Sequence, residues 1–464
     1  MTGPSDTTGP STAEVPPGKA PPGKAPPAVS TLTATAVVVA DMIGVGVFTS
    51  LGFQVADIRS GLALLLLWFV GGVVALCGAF CYAELAAMFP RSSGEYNLLT
   101  RAFGPAAGFT AGWLSATVGF SAPVALAAMA FGQYAAAVLP GLPPLPLGLA
   151  VLWAVTAVRL RGGRQGHRFQ VGATLLKLAL ILAFLVAGFA GGGAPGPAGP
   201  GAFDPNAFDL RQVFSPAFAV SLVFVMYAYS GWNAATYIVG ELADPPYSLP
   251  RALFAGTGLV VALYVALNAV FLYTTPLADL SGQIEVALIS GRHVFGEAGG
   301  RLVGALICAG LIPTLSALMW IGPSVTVAMG EDVALLQPFA RRSRTGVPTV
   351  AILFQCAVAS LLLLTQSFEA VLDFIQFSLT ACSFLTVLGL IRLRIARPDL
   401  PRPVRAWGYP VTPLVFLAVT GFMMVHLAAV RPLQSLAGVL LMLAGLGLYA
   451  LATARGRSGT GGPA

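Results

Sequence analysis

Val37-Val38-Val39-Ala40-Asp41-Met42-Ile43-Gly44-Val45-Gly46-Val47-Phe48 is an apolar run broken by one acid and two glycines. Gly44 and Gly46 stand two apart in its middle, where each glycine costs a helix about 1 kcal/mol relative to alanine. A helix that breaks there points the free amides of its second half at one spot, and such a helix start binds a carboxylate. The same glycines also suit close helix packing, and the run alone leaves both readings open. Asp41 sits three residues before Gly44, about one helical turn below the break. A proton carrier, a ligand for a cationic side chain and a structural partner are all open roles for it.

The rest of the chain fixes the solvent of this run. Of 464 residues, 56% are hydrophobic and 9% are charged, where a soluble chain carries roughly 25% charged residues. The charges are confined to short stretches: none occurs between Arg59 and Glu84, Arg211 and Glu241, Arg251 and Asp279, Arg301 and Glu331, or Arg405 and Arg431. Such gaps are long enough for the roughly 20 apolar residues that cross a bilayer. Their residues are apolar on all sides, whereas barrel strands would alternate, so the runs are helices. The expected fold is an all-α membrane protein with about twelve spans. Their centres lie in 33–56, 61–88, 106–136, 145–158, 169–190, 213–240, 251–275, 301–329, 347–365, 369–391, 409–428 and 433–454.

Residues 1–30 form a Pro, Gly, Ser and Thr tail with Pro-Pro-Gly-Lys-Ala repeated at 16–20 and 21–25. This composition cannot bury a core and is expected to be disordered. The transmembrane domain runs over 31–454 and a short polar tail over 455–464. The longest connections are 191–210 and 276–300. With the N-terminus inside, 19 of the Lys and Arg residues fall on the inner side and five (Arg59, Arg211, Arg292, Arg301 and Arg431) on the outer, with Lys177 left within a span. This skew places both termini in the cytoplasm. It also accounts for the net charge of +7 without a nucleic-acid partner. The five cysteines fall in apolar runs and read as small buried hydrophobes. His167, His293 and His426 lack metal-ligand spacing, and no nucleophile–base arrangement is visible, so neither an enzyme nor a cofactor is expected. Glu84 and Glu241, at span ends, are expected to orient loops.

The sixth span has a centre like that of the first: Tyr227-Ala228-Tyr229-Ser230-Gly231-Trp232-Asn233. Ser230, Gly231 and Asn233 are poor helix formers, and a break there exposes carbonyls that suit an ammonium group. Interrupted spans at matching positions of two halves point to a transport site. Five spans per unit is an odd number, so the second unit starts from the opposite face, which is an inverted repeat. Lys177, in Ala173-Thr174-Leu175-Leu176-Lys177-Leu178, lies about eight residues into its span, roughly 12 Å deep at 1.5 Å per residue. An ammonium that deep is costly and reads as functional, and snorkelling to the interface is the competing reading.

Taken together, these segments resemble the amino acid–polyamine–organocation superfamily. The resemblance runs through Ile43-Gly44-Val45-Gly46-Val47-Phe48, Tyr82-Ala83-Glu84-Leu85, Pro90-Arg91-Ser92-Ser93-Gly94-Glu95-Tyr96 and Ala228-Tyr229-Ser230-Gly231-Trp232-Asn233. It continues through Glu241-Leu242-Ala243-Asp244-Pro245, Leu249-Pro250-Arg251-Ala252, Met329-Gly330-Glu331-Asp332 and Trp407-Gly408-Tyr409-Pro410. The Gly-Trp-Asn segment is most similar to bacterial amino acid permeases and L-type amino acid transporters. The resemblance implies a five-plus-five inverted repeat (the LeuT-like fold), with 31–190 as the first repeat, 211–392 as the second and two additional helices in 409–454. It implies a plasma-membrane secondary transporter of amino acids working by alternating access, sodium-independent, with exchange (an antiporter) and proton coupling both open. A polyamine or organic-cation carrier of the same fold and a non-transporting membrane sensor are the alternatives. The substrate carboxylate is implied at Gly44, Val45 and Gly46, and the α-amino group at Tyr227, Ala228 and Ser230, with Tyr227 closing over the substrate. Val45 stands where many relatives carry a small Ser or Ala, and the carboxylate of Asp41 is also a departure. Lys177 matches a lysine that takes the place of a sodium ion, and with Asp41 it is the coupling candidate. The oligomeric state is not fixed by any of these residues.

The charge skew predicts a topology. Reporters active on one side only, fused at residue 464 and within 191–210, should read inside and outside respectively. An outside signal at 464 would reverse the orientation.

Overall fold

The computed structural model describes residues 29–161, 166–190, 203 and 210–458. The expected disorder of 1–30, most of the 191–210 connection and the end of the C-terminal tail lie outside these residues, apart from Val29 and Ser30.

The first apolar run forms two helices, α1 (Thr31–Met42) and α2 (Gly46–Asp57). After α3 (Gly61–Met88) comes α4 (Glu95–Phe103), a short helix where the sequence indicated only a link. The third span is α5 (Pro105–Leu114), a π-helical turn over Ser115–Gly119, and α6 (Ser121–Val138). The helices α7 (Pro144–Arg161) and α8 (Gly166–Ala190) follow. The sixth span is α9 (Pro216–Ala228), turns over 229–233, and a 3-10 helix over Ala234–Glu241. Then come α10 (Pro245–Thr274), α11 (Leu277–Leu280) and α12 (Val286–Asp332), which bends at Gly296 where φ is +73°. Much of the connection expected over 276–300 is therefore helical, in α11 and in the part of α12 that precedes its bend. The chain ends with α13 (Gln337–Ala340), α14 (Thr349–Leu364), α15 (Phe368–Ala396), α16 (Val411–Val430) and α17 (Pro432–Ser458).

Serines start several of these helices. Ser30, Ser60, Ser215 and Ser367 each accept an amide from the first turn, as expected of residues that satisfy the orphan donors of a helix start. Among the described residues, nine helical segments are long and apolar enough to cross a membrane, and shorter apolar helices over Thr174–Ala190, Pro216–Ala228 and Thr349–Leu364 stand at three further expected spans. The outermost helix, α17, has only 11% of its apolar window buried, with Leu433, Leu436, Leu440 and Leu443 exposed. An exposed apolar surface of this extent belongs in lipid. The protein is an all-α, multi-pass membrane protein, and no strand occurs among the described residues.

The first span is held at both ends. Along α2, Ser50 donates to the Phe224 carbonyl of α9 at 3.2 Å, and Gln54 donates to the Ser221 carbonyl at 3.4 Å while accepting from Trp68 Nε1 at 2.9 Å. Ahead of α1, Val29 exchanges backbone bonds with the end of the sixth span, donating to the Glu241 carbonyl at 2.8 Å and accepting from Ala243 N at 3.2 Å. Glu241 itself is exposed. Glu84 does more than orient a loop. It is fully buried and pairs with Arg394 and, at 3.3 Å, with Arg402, while accepting the Ala406 amide at 2.6 Å. One carboxylate thus ties the end of α3 to the end of α15 and to the loop that follows. Removing one member of a buried ion pair costs about 3–5 kcal/mol. Glu84→Ala should therefore lower the thermal midpoint of the detergent-solubilised protein by several degrees, whereas Glu297→Ala, at an exposed pair with Arg292, should leave it unchanged.

Candidate functional site

The site begins with what the first-span break does to the backbone. At its start, Gly44 N turns back onto the Met42 carbonyl at 2.7 Å, and Phe48 N reaches the Val45 carbonyl at 3.0 Å. Helix α2 then starts at Gly46, and the first amides of a helix have no carbonyl one turn behind them. Val45, Gly46 and Val47 are therefore the donors that this break presents. Side chains from distant spans take the carbonyls on its other side. Lys177 Nζ donates to the Ile43 carbonyl at 2.6 Å and to Thr314 Oγ1 at 2.7 Å, and Thr314 Oγ1 also reaches Ile43 O at 3.2 Å. The Tyr264 hydroxyl donates to the Met42 carbonyl.

The sixth-span break lies against the first. A Cβ on Gly46 would fall 2.5 Å from Ala228 Cα, so the two backbones touch here and only glycine fits. Gly231 has a φ of +96°, and a Cβ on it would fall 2.7 Å from Asp41 Oδ2. Gly44 is under no such pressure, since its nearest neighbour would be Thr314 Cγ2 at 3.5 Å. Both open readings of the two glycines therefore have a place: the helix does break, and Gly46 is also a packing glycine.

Asp41, Gly44, Val45, Gly46, Tyr227, Ala228 and Ser230 all line one cavity, with further walls from Glu95, Trp232, Thr314, Gln376 and Ser383. Tyr227 is buried and sits edge-on to Phe368, with ring centroids 6.4 Å apart. Lys177 does not line this cavity. It stands behind Ile43 and borders a separate apolar one between α8, α10 and α12. Asp41, a candidate partner for Lys177, makes no hydrogen bond to it. Instead Asp41 Oδ1 is buried without a hydrogen-bond partner among the described residues, while Lys177 Nζ is directed to Ile43 and Thr314.

The matching family description is amino acid permease, over residues 29–451. The chain belongs to the amino acid permease family. Among its relatives, the mouse large neutral amino acids transporter small subunit 2 is 27% identical over 438 residues, covering 90% of this chain and 80% of the relative. The mouse Asc-type amino acid transporter 1 is 28% identical over 445 residues, covering 90% and 80%. The mouse b(0,+)-type amino acid transporter 1 is 26% identical over 434 residues, covering 91% and 87%.

Within this permease, the sequence did not single out Tyr264, Thr314, Gln376 or Ser383. Tyr264 and Thr314 are isolated polar side chains in otherwise apolar runs, and that isolation was the signal available. The packing at the two glycines gives an unequal prediction. Gly46→Ala should weaken binding of the transported amino acid more than tenfold, and Gly44→Ala should leave it near wild type, as measured by ligand-induced thermal shift in detergent. Equal behaviour of the two variants would mean that the contact with Ala228 is not needed.

Proposed function

We propose that this permease carries α-amino acids by alternating access, with the substrate clasped between the broken first and sixth spans. The observation that carries this reading is the contact of Gly46 with Ala228. Val45 and Gly46, with helix-start amides, and Ala228 and Ser230, with helix-end carbonyls, line one cavity beside this contact, which supports the reading. Donors with a partial positive charge face acceptors with a partial negative one, which matches the carboxylate and ammonium of a zwitterion. Tyr227, at the junction of α9 and the break, closes over the bound molecule. The five-plus-five inverted repeat is the architecture in which two such breaks face each other, and the plasma membrane with both termini cytoplasmic is the setting that the charge skew favours.

Lys177 is the built-in cation of this reading. Its ammonium holds the Ile43 carbonyl at the C-terminal, negative end of α1, where a cation is favoured. A metal ion has no role left to fill there. Losing the Lys177 proton would loosen α1, and this links proton movement to substrate movement. On the face that carries Arg91, both guanidinium nitrogens donate to Asp332 at 2.9 Å, Tyr96 OH reaches the same carboxylate at 2.6 Å, and Gly240 N donates to Ser92 Oγ at 2.9 Å. These bonds join the α3–α4 loop to the end of α12 and to the sixth span, and they must part for that face to open.

Purified protein in proteoliposomes should take up labelled amino acids equally well in sodium and in choline media. Methyl esters and decarboxylated analogues should compete poorly. Lys177→Ala should insert and fold but lose transport. Uptake that requires sodium, or a Lys177→Ala variant with wild-type transport, would overturn the built-in cation. Amines that compete as well as amino acids would favour a polyamine carrier. Accumulation driven by an imposed pH gradient, against uptake that needs internal amino acid, separates proton coupling from exchange.

A further inference from the structure

The acceptors that a substrate ammonium would meet can be counted from both breaks. On the first span, the carbonyls of Met42 and Ile43 are already taken by Tyr264 and Gly44 N, and by Lys177 and Thr314. On the sixth, the Tyr227 carbonyl accepts Ser230 N at 2.9 Å and the Gly231 carbonyl accepts Ala234 N at 2.9 Å. This leaves the Ala228, Tyr229 and Ser230 carbonyls on one wall, while on the other the two carbonyls that end α1, Met42 and Ile43, are already taken. Two charged side chains line the cavity, Asp41 and Glu95, and both are acids. Glu95 has donors of its own, since its Oε1 accepts Tyr82 OH and, at 2.9 Å, Ser383 Oγ. Asp41 is different: Oδ1 is buried and unpartnered, while Oδ2 lies in the notch that Gly231 leaves by lacking a side chain. A buried carboxylate oxygen without a donor is costly, and the other oxygen of the same carboxylate lies against the sixth-span break, where an ammonium is expected.

We propose that Asp41 is the acceptor for the substrate α-ammonium on the first span, completing a cradle whose opposite wall is the carbonyls of the sixth-span break. This rests on the amino acid reading above and adds a binding residue to it. The ammonium is then held by a formal charge as well as by carbonyl dipoles, so the site demands a charged amine and rejects isosteres that lack one. Sites built around a buried polar partner discriminate in this way because the partner is left unpaired by the wrong ligand.

The test compares an amino acid with the α-hydroxy acid of the same side chain, which replaces the ammonium by a hydroxyl. Binding is read by intrinsic fluorescence, for which Trp232 on the cavity wall is a suitable reporter, and by competition in proteoliposomes. Wild type should prefer the amino acid by more than a hundredfold. In Asp41→Asn, which keeps the shape and removes the charge, amino acid affinity should fall by ten- to a hundredfold and the preference should collapse toward tenfold or less. Asp41→Ser serves as a second variant if Asp41→Asn fails to fold, and the same collapse is expected. An unchanged preference overturns the proposal. A variant that shifts only the pH profile of transport also overturns it and assigns Asp41 to proton coupling. So does a loss confined to the preference for lysine over norleucine, which would place Asp41 on a substrate side chain. Wild-type protein that binds no α-amino acid at all refutes the substrate reading, and this inference with it.

Discussion

The carbonyl oxygen of Ile43 is the point on which the site turns. A helix interrupted inside a bilayer leaves main-chain groups that water cannot reach, and each one left unsatisfied costs several kcal/mol. Here the Ile43 carbonyl is satisfied by the side chains of Lys177 and Thr314, and the Met42 carbonyl by Tyr264 together with the Gly44 amide. With these acceptors settled, the helix-start amides of Val45, Gly46 and Val47 are the donors left at the break. In the reading proposed above they serve the ligand.

This division of labour explains why the lysine and the cavity are separate. Lys177 would compete for a substrate carboxylate if it lined the cavity, and it would be drawn off the Ile43 carbonyl in doing so. Set behind α1, facing α12 and Thr314, it holds the backbone while the charged side chains lining the cavity, Asp41 and Glu95, are both acids.

Much of this was legible in the residues. The bilayer imposes apolar runs with charges between them, so span positions follow from composition, and glycines in mid-span mark the breaks at 43–45 and 229–233. The depth of Lys177 in its run set it apart, and the structure buries it against Ile43 and Thr314 rather than at an interface. What was not legible depends on partners far away in the chain. The Lys177, Tyr264 and Thr314 bonds to the first break join residues 134, 222 and 271 positions apart, and no local pattern encodes which carbonyl each will meet. The contact of Gly46 with Ala228 is likewise a property of two surfaces, so the sequence left the glycines' two roles open and the packing assigns both to Gly46. Helix α4 and the first part of α12 escaped notice for a different reason. They are short and carry polar residues, so charge spacing, which finds helices that cross lipid, does not detect them.

The Gly46–Ala228 contact also limits how the molecule can move. Two backbones that touch, with no side chain between them, cannot slide past each other without a clash, because packed interfaces are not continuously deformable. The halves of the first and sixth spans on the α2–α9 side are further joined by Ser50 and Gln54. That side therefore moves as a unit. The other halves are held differently: α1 is tied through side chains on Met42 and Ile43 and packs closely on α10, where a Cβ on Gly256 would fall 2.8 Å from Val38 Cγ1, and the 3-10 segment over Ala234–Glu241 is bonded to Val29 and Ser92. On the reading proposed above, opening the Arg91 face turns α1 and the 3-10 segment about the two breaks while α2 and α9 stay together. A ligand that bridges the two walls would then change the cost of moving one relative to the other.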